Sequence, residues 1–358
     1  MDGVRNIVCV VAAGGTAGHV RPALAVAEAL RARGVTVTFA GTPDRVESRL
    51  VPEAGFALDT FAVSGFPRRV SIGLVRAAWQ ALTAPLACLR ILGRRRPDVV
   101  LGGGGYVAGP MVVAARLRGI PAALTEADAH LGLANRLAVP FARRVFLAYA
   151  IAGRTGGRYR VVGRPIPRAH RGATRAEGRA AFGLPADGPV VSVFGALAGA
   201  RSLNETAVAA WGAAGPAVVH VSGERDFPEL RARVTRPDYI LLPQTDRFGD
   251  VLAAADLAVS RAGGTVWELA AAGTPAILVP YPHATADHQT LNARHFERGG
   301  GAIVVADAEA DRIPGLVAEL LADPERLRRM REAMLALARP DAAEAVADGL
   351  VELAARRR

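Results

Sequence analysis

Short, nearly continuous apolar runs alternate with segments of helical period along the whole chain, and many of the runs end in glycine. Strands without polar alternation are buried on both faces, the pattern of a parallel sheet covered by helices. Candidate strands are 6–12, 36–41, 97–102, 121–126 and 144–149, followed by a second series at 189–195, 217–223, 239–244, 257–262 and 275–281. Two such series predict two doubly wound α/β domains. A chain of 358 residues, 51% of them apolar, suffices to bury two cores. Between the series, 154–175 is rich in glycine, proline and arginine and has no helical period. The boundary is therefore expected near 164, with domains 1–163 and 164–339. The amphipathic stretch 340–358 is expected to form a helix that packs back on the first domain.

The formal net charge is +11, and all 44 basic side chains are arginine. Without lysine the chain has neither a Walker A loop nor a Schiff-base residue for pyridoxal phosphate. The positive balance predicts an anionic partner: nucleotide phosphates, an acidic membrane surface or nucleic acid. Nucleic acid is disfavoured, because the arginines are dispersed and aromatic residues do not interleave with them. Cys9 and Cys88 lie in apolar runs and read as reduced core residues of a cytosolic protein. No basic, apolar leader opens the sequence, and no run approaches the roughly 18 apolar residues of a spanning helix. A protein neither secreted nor membrane-spanning is expected. The seven histidines are scattered and no Asp-x-Asp triplet occurs, so neither a metal nor a cofactor is called for.

Five motifs carry chemistry. The first is strand, glycine turn and helix over 11–30, where Gly14, Gly15 and Gly18 let the backbone approach a ligand and the helix amino terminus faces it. His19 stands at the mouth of that turn as a candidate general base; the plainer alternative is a structural imidazole. The second is the four-glycine run 102–105 followed by Tyr106, read as a second close-approach loop because packing rarely needs four glycines. The third is 193–205, where Gly195 and Gly199 repeat the first turn and the helix after them suits a diphosphate. In the fourth, 260–282, Gly263 and Gly264 open a short helix carrying Glu268, a carboxylate placed to accept from a ribose diol unless it is a solvated face. The fifth, 283–293, offers Asp287, His288, Gln289 and Asn292 to sugar hydroxyls, with a helix cap by Asp287 as the alternative. Separately, Ile72, Val75, Trp79, Leu82, Leu86 and Leu89 recur at helical spacing within 68–96, bordered by arginines. Such a stripe either lies on an anionic bilayer or packs on the sheet.

These motifs, with 132–138 and 199–205, resemble those of the MurG family in order and approximate spacing over nearly the whole chain. The resemblance implies a GT-B fold: two Rossmann-like doubly wound parallel-sheet domains facing a cleft. It implies an inverting transfer of N-acetylglucosamine from UDP-N-acetylglucosamine to undecaprenyl-diphosphate-linked muramyl pentapeptide, at the inner face of the cell membrane. The first domain would take the acceptor through Gly14, Gly15, Thr16, Gly18, Gly104, Gly105 and Tyr106, with Gly195 and Gly199 near the diphosphate. The second would take the donor: Thr245 and Phe248 at uracil, Glu268 at ribose, Gly263, Gly264 and Thr265 at the diphosphate, His288 and Gln289 at the sugar, and Arg164. His19 would lie near the reacting centre. The chain departs from the family at 125–128, where Asp128 replaces an asparagine and becomes a rival base, at Leu197, which replaces a serine, and at 163–168. A GT-B enzyme with another acceptor, or a non-catalytic nucleotide-sugar binder, are the alternatives.

Overall fold

The computed structural model describes residues 6–64, 72–195 and 199–357, excluding the side chains of 72–78 and 81. Leu197 and the arginines at 68–69 lie outside the described residues, as do the side chains of Ile72 and Val75. The chain divides into two compact units, Met1–Pro167 with Pro340–Arg358, and Arg168–Arg339.

The first unit is built on β1 (Val8–Ala13), β2 (Thr36–Gly41), β3 (Ala57–Thr60), β4 (Val99–Gly104), β5 (Ala122–Glu126), β6 (Arg144–Leu147) and β7 (Tyr159–Val161). All pairings are parallel, in the order β3-β2-β1-β4-β5-β6-β7. Its helices are α1 (Ala17–Ala32), α2 (Glu47–Glu53), α3 (Ile72–Arg95), α4 (Ala108–Leu117) and α5 (Leu133–Ala138). Alternate β1 residues feed opposite faces. Cys9, Val11 and Ala13 join α1 in one core, while Val10 and Ala12 join α3 and α4 in the other. That is why no polar residue interrupts the strand.

The second unit carries β8 (Val190–Phe194), β9 (Ala217–Val221), β10 (Tyr239–Leu242), β11 (Leu257–Ser260), β12 (Ala276–Leu278) and β13 (Ala302–Val304). These too are parallel, in the order β10-β9-β8-β11-β12-β13. Helices α6 (Arg175–Ala181), α7 (Arg201–Trp211), α8 (Phe227–Arg231), α9 (Phe248–Ala254), α10 (Thr265–Ala272), α11 (His288–Arg298), α12 (Ile313–Leu321) and α13 (Pro324–Leu337) connect them. The chain then returns to the first unit as α14 (Ala342–Ala355), which lies on α1 and β4 and buries Val346, Leu350 and Leu353.

Strand order reverses between β1 and β4 in one sheet and between β8 and β11 in the other. A crevice opens at such a switch point beyond the carboxyl ends of the strands. The glycine turns after β1, β4, β8 and β11 all lie there. Two details differ from the sequence reading. The partition falls after Pro167, which places Arg164 in the first unit. Three strands, β3, β7 and β13, were not foreseen; each is a short sheet edge, and β3 and β7 have few buried positions and no apolar run to announce them, whereas β13 sits in the short apolar run 302–306.

Candidate active site

In the first unit, β1 runs into a turn at Gly14–Thr16 before α1 begins. Gly15 has φ +87°, and a Cβ there would lie 3.0 Å from the Tyr106 ring. A Cβ on Gly14 would lie 2.3 Å from the Glu47 carboxylate. The His19 ring reaches back over the turn, with Nδ1 3.1 Å from Thr16 Oγ1.

The four-glycine run is explained by the chain's own atoms. A Cβ on Gly102 would meet Leu124, one on Gly103 would meet Ala13 and Ala23, and one on Gly104 would come 2.6 Å from the His19 ring. At Gly105 it would fall 2.2 Å from the Gly14 carbonyl oxygen. The β1–β4 register shifts between Ala12 and Ala13, so the run makes a bulge that brings its backbone against His19. Gly102 and Gly103 are thus filled by the core, while Gly104 and Gly105 bring their backbone against His19 and Gly14.

Arg164 closes the other side. Pro22 lacks the N–H that would bond the carbonyl four residues back, and that carbonyl belongs to Gly18. Arg164 donates to it at 2.6 Å and to the Ala127 carbonyl at 3.4 Å. The 126–132 loop, which carries Asp128, is organised by buried Glu126. Its carboxylate accepts from the amides of Asp128 (3.2 Å) and Gly132 (2.9 Å) and from Asn135 Nδ2 (2.9 Å). Burial pushes Glu126 above the usual carboxylate range. Burial, aided by the Arg164 guanidinium, lowers the His19 pKa below 6.5, against the opposing charges of Asp128 and Glu47. His19 is therefore a neutral imidazole at neutral pH, the form that accepts a proton.

In the second unit, the turn after β11 leads directly into α10, one turn along which sits Glu268. Its Oε1 is 3.4 Å from His170 Nδ1, and both side chains are nearly buried. Its Oε2 is buried with no hydrogen-bond partner. The sequence reading missed His170, which lies in the irregular stretch before α6. Gly249 admits it: a Cβ there would lie 2.8 Å from the Ala169 carbonyl. Phe248 packs between His170 (5.4 Å) and Phe194 (5.1 Å, edge-on), and Thr245 accepts from the Arg247 amide. Glu268, His170 and Phe248 thus form one wall.

The polar group after β12 is partly turned to its own backbone. Gln289 Oε1 accepts from the Tyr281 amide (2.9 Å), His288 Nδ1 contacts the Thr285 carbonyl (2.8 Å), and buried Asn292 donates to Ala262 (3.3 Å). Gln289 Nε2 lies 3.9 Å from where a Gly263 Cβ would be, so this amide borders the 263–265 turn. Asp287 accepts from the Thr290 hydroxyl (2.6 Å) and does not cap α11 with its side chain. Ala286 and Asp287 both have φ near +50°, a costly pair for residues with a Cβ. Gly195 and Gly199 are filled from within, by Ala200 and by the Ser222 carbonyl. Arg261, also missed, is buried and ties the ends of β11 and β12 to Asp307 (2.7 Å) and Ser202 (2.9 Å). Among the described residues no three of His, Cys, Asp or Glu converge as a metal set requires.

Residues 9–147 match the glycosyltransferase family 28 N-terminal domain, and residues 190–346 match the family 28 C-terminal domain. The UDP-N-acetylglucosamine--N-acetylmuramyl-(pentapeptide) pyrophosphoryl-undecaprenol N-acetylglucosamine transferase of Acidothermus cellulolyticus is 42% identical over 98% of each chain. Its counterpart from Salinibacter ruber is 40% identical over 96% of each chain. The chain belongs to the MurG family. The crystal structure of Acinetobacter baumannii MurG superposes with a TM-score of 0.77 at 29% identity, covering 97% of this chain and 99% of that one. The fold is GT-B, with two Rossmann-like units, and membership of the family makes the chain a glycosyltransferase that moves N-acetylglucosamine.

Proposed function

We propose that this chain transfers N-acetylglucosamine from its UDP donor to undecaprenyl-diphosphate-linked N-acetylmuramyl pentapeptide, inverting the anomeric centre. The second unit holds the donor and the first holds the lipid acceptor. The observation that carries this reading is the buried, unpartnered Oε2 of Glu268 beside His170 at the carboxyl edge of the second sheet. A buried carboxylate oxygen without a donor is costly, and a ribose diol supplies donors that remove the cost. Phe248 and Thr245 stand where the uracil ring would rest, and the amides of Gly263 and Gly264 with Thr265 open α10 toward the diphosphate. Gln289 and His288 face the sugar.

The reaction is a single displacement. An acceptor hydroxyl attacks the anomeric carbon, its proton passes to a base, and UDP leaves with the bonding pair. His19 is the base, being neutral and set among the glycine loops of the acceptor unit. Asp128 is its rival. The protein works at the inner face of the membrane without crossing it; among the described residues no helix is long and apolar enough to span. Trp79, Leu82 and Leu86 on α3 are 60–75% exposed, and they supply the docking stripe.

Titration calorimetry with UDP tests the donor site. Glu268→Ala is expected to weaken UDP binding by about 1–3 kcal/mol, the size of lost charge-assisted hydrogen bonds. Unchanged affinity removes Glu268 from the ribose.

A further inference from the structure

Glu47 belongs to no motif read from the sequence, yet it is completely buried at the first glycine turn. It is the first residue of α2 and points into the carboxyl end of the first sheet. Three donors aim at its carboxylate. The Gly15 amide donates to Oε2 at 3.0 Å, and the Thr42 amide (3.1 Å) and hydroxyl (2.7 Å) donate to Oε1. The turn is cut to fit it, since a Cβ on Gly14 would lie 2.3 Å from Oε1 and one on Gly41 would lie 2.8 Å from Cγ.

The Gly15 N–H and the Gly14 carbonyl are the two ends of one peptide group. Glu47 holds the first, and the second lies on the His19 side of the turn: the place a Cβ on Gly105 would take is 2.2 Å from the Gly14 carbonyl oxygen and 3.5 Å from His19 Nδ1. The carbonyl end is thus fitted too, by the close approach of Gly105. A peptide between two glycines is otherwise easily flipped, because neither neighbour has a Cβ to resist the change in φ and ψ. Flipped, it would aim an N–H at the imidazole in place of a carbonyl and would no longer select which ring nitrogen carries the proton. A carboxylate, a peptide and an imidazole in series also polarise one another.

We propose that Glu47 is a positioning residue that acts on His19 through the Gly14–Gly15 peptide, keeping the Gly14 carbonyl against the imidazole and so fixing the ring's tautomer and orientation. The proposal rests on the reading of His19 as the base. Glutamine at 47 keeps the size but brings an NH2 that must oppose either the Gly15 amide or the Thr42 amide. Glu47→Gln is therefore expected to show two His19 tautomers by 15N NMR where the parent shows one. Turnover should fall about tenfold or more while UDP affinity stays within twofold. Glu47→Asp, which keeps the charge but shortens the reach, is expected to fall between the two. A single parental tautomer in Glu47→Gln overturns the proposal, whether turnover is kept or lost. If Glu47→Gln does not fold, hydrogen exchange of the parent's Gly15 amide decides: protection supports the bond to Glu47, and fast exchange overturns it. If the parent consumes no UDP-N-acetylglucosamine with the lipid acceptor, the functional reading fails, while the tautomer and exchange measurements still judge Glu47.

Discussion

His19 takes a proton only while it is neutral, and its surroundings keep it neutral to lower pH than a free imidazole. Burial and the Arg164 guanidinium lower its pKa; the charges of Asp128 and Glu47 oppose them without prevailing. The neutral fraction is lost as pH falls through the lowered value. With His19 as base, kcat/KM is therefore expected to level off toward alkaline pH and to fall on the acid side, with its acid limb lying below that of a free imidazole. Arg164→Met removes one lowering influence, so the acid limb should move upward. His19→Ala should cut turnover by about 10²-fold with UDP affinity nearly kept. A pH–rate series on the parent, Arg164→Met, His19→Ala and Asp128→Asn checks this. An acid limb unmoved by Arg164→Met, with Asp128→Asn inactive and His19→Ala near normal, transfers the role to Asp128.

At the scale of elements, α3 shows one helix serving two surroundings. Ala84, Cys88, Ile91 and Leu92 are buried in the first unit's core, while Trp79, Leu82 and Leu86 face outward at 68%, 75% and 60% exposure. The periodicity of the segment could not say which stripe packs on the sheet. Spacings of three and four mark an apolar face, and this helix has two. Arg94 and Arg95 extend its basic end, held by Asp59. Replacing Trp79, Leu82 and Leu86 together by serine is expected to weaken binding to anionic vesicles by about 10²-fold or more, since each buried side chain is worth about 1.5–3 kcal/mol. Added salt should weaken the parent's binding as well. A flotation assay in which the triple variant binds like the parent removes α3 as the docking element. The edge strands teach a related lesson. β3 and β7 are covered so sparsely that burial leaves no apolar run in their sequences, while β13, three residues long, lies in the short apolar run 302–306.

For the whole molecule, the notable feature is that the last helix belongs to the first unit. Val346, Ala347, Leu350 and Leu353 of α14 complete the core built by α1 and β1. Gly349 admits the Phe146 ring, and Arg144–Glu352 (2.7 Å) and Arg33–Asp348 (2.7 Å) pin the edges. Three large side chains at about 1.5–3 kcal/mol each approach the whole stability of an ordinary domain, about 5–15 kcal/mol. Truncation after Arg339 is therefore expected to unfold the first unit and spare the second. Scanning calorimetry of the truncated chain should lose one thermal transition, with UDP binding kept. Persistence of the full parental melting profile would show that α14 is dispensable.

The sequence by itself determined the class of fold and the positions of the glycine turns. Burial on both faces writes unbroken apolar runs, and a switch-point crevice demands glycine where the backbone must come close. It also held the resemblance that named the family, because residues such as His19 and Glu268 stand within local, ordered motifs. What it left open were pairings between distant residues. Glu47 and Gly15 are 32 positions apart, and Arg164 meets the carbonyl that Pro22 leaves open 146 positions away. A buried carboxylate and a solvated one look alike in a sequence, so Glu47 and Glu126 carried no signal, nor did His170 in an irregular stretch. Only the tertiary structure decided these roles, since burial, which makes a charge or an unpaired carbonyl consequential, is a property of the packed chain.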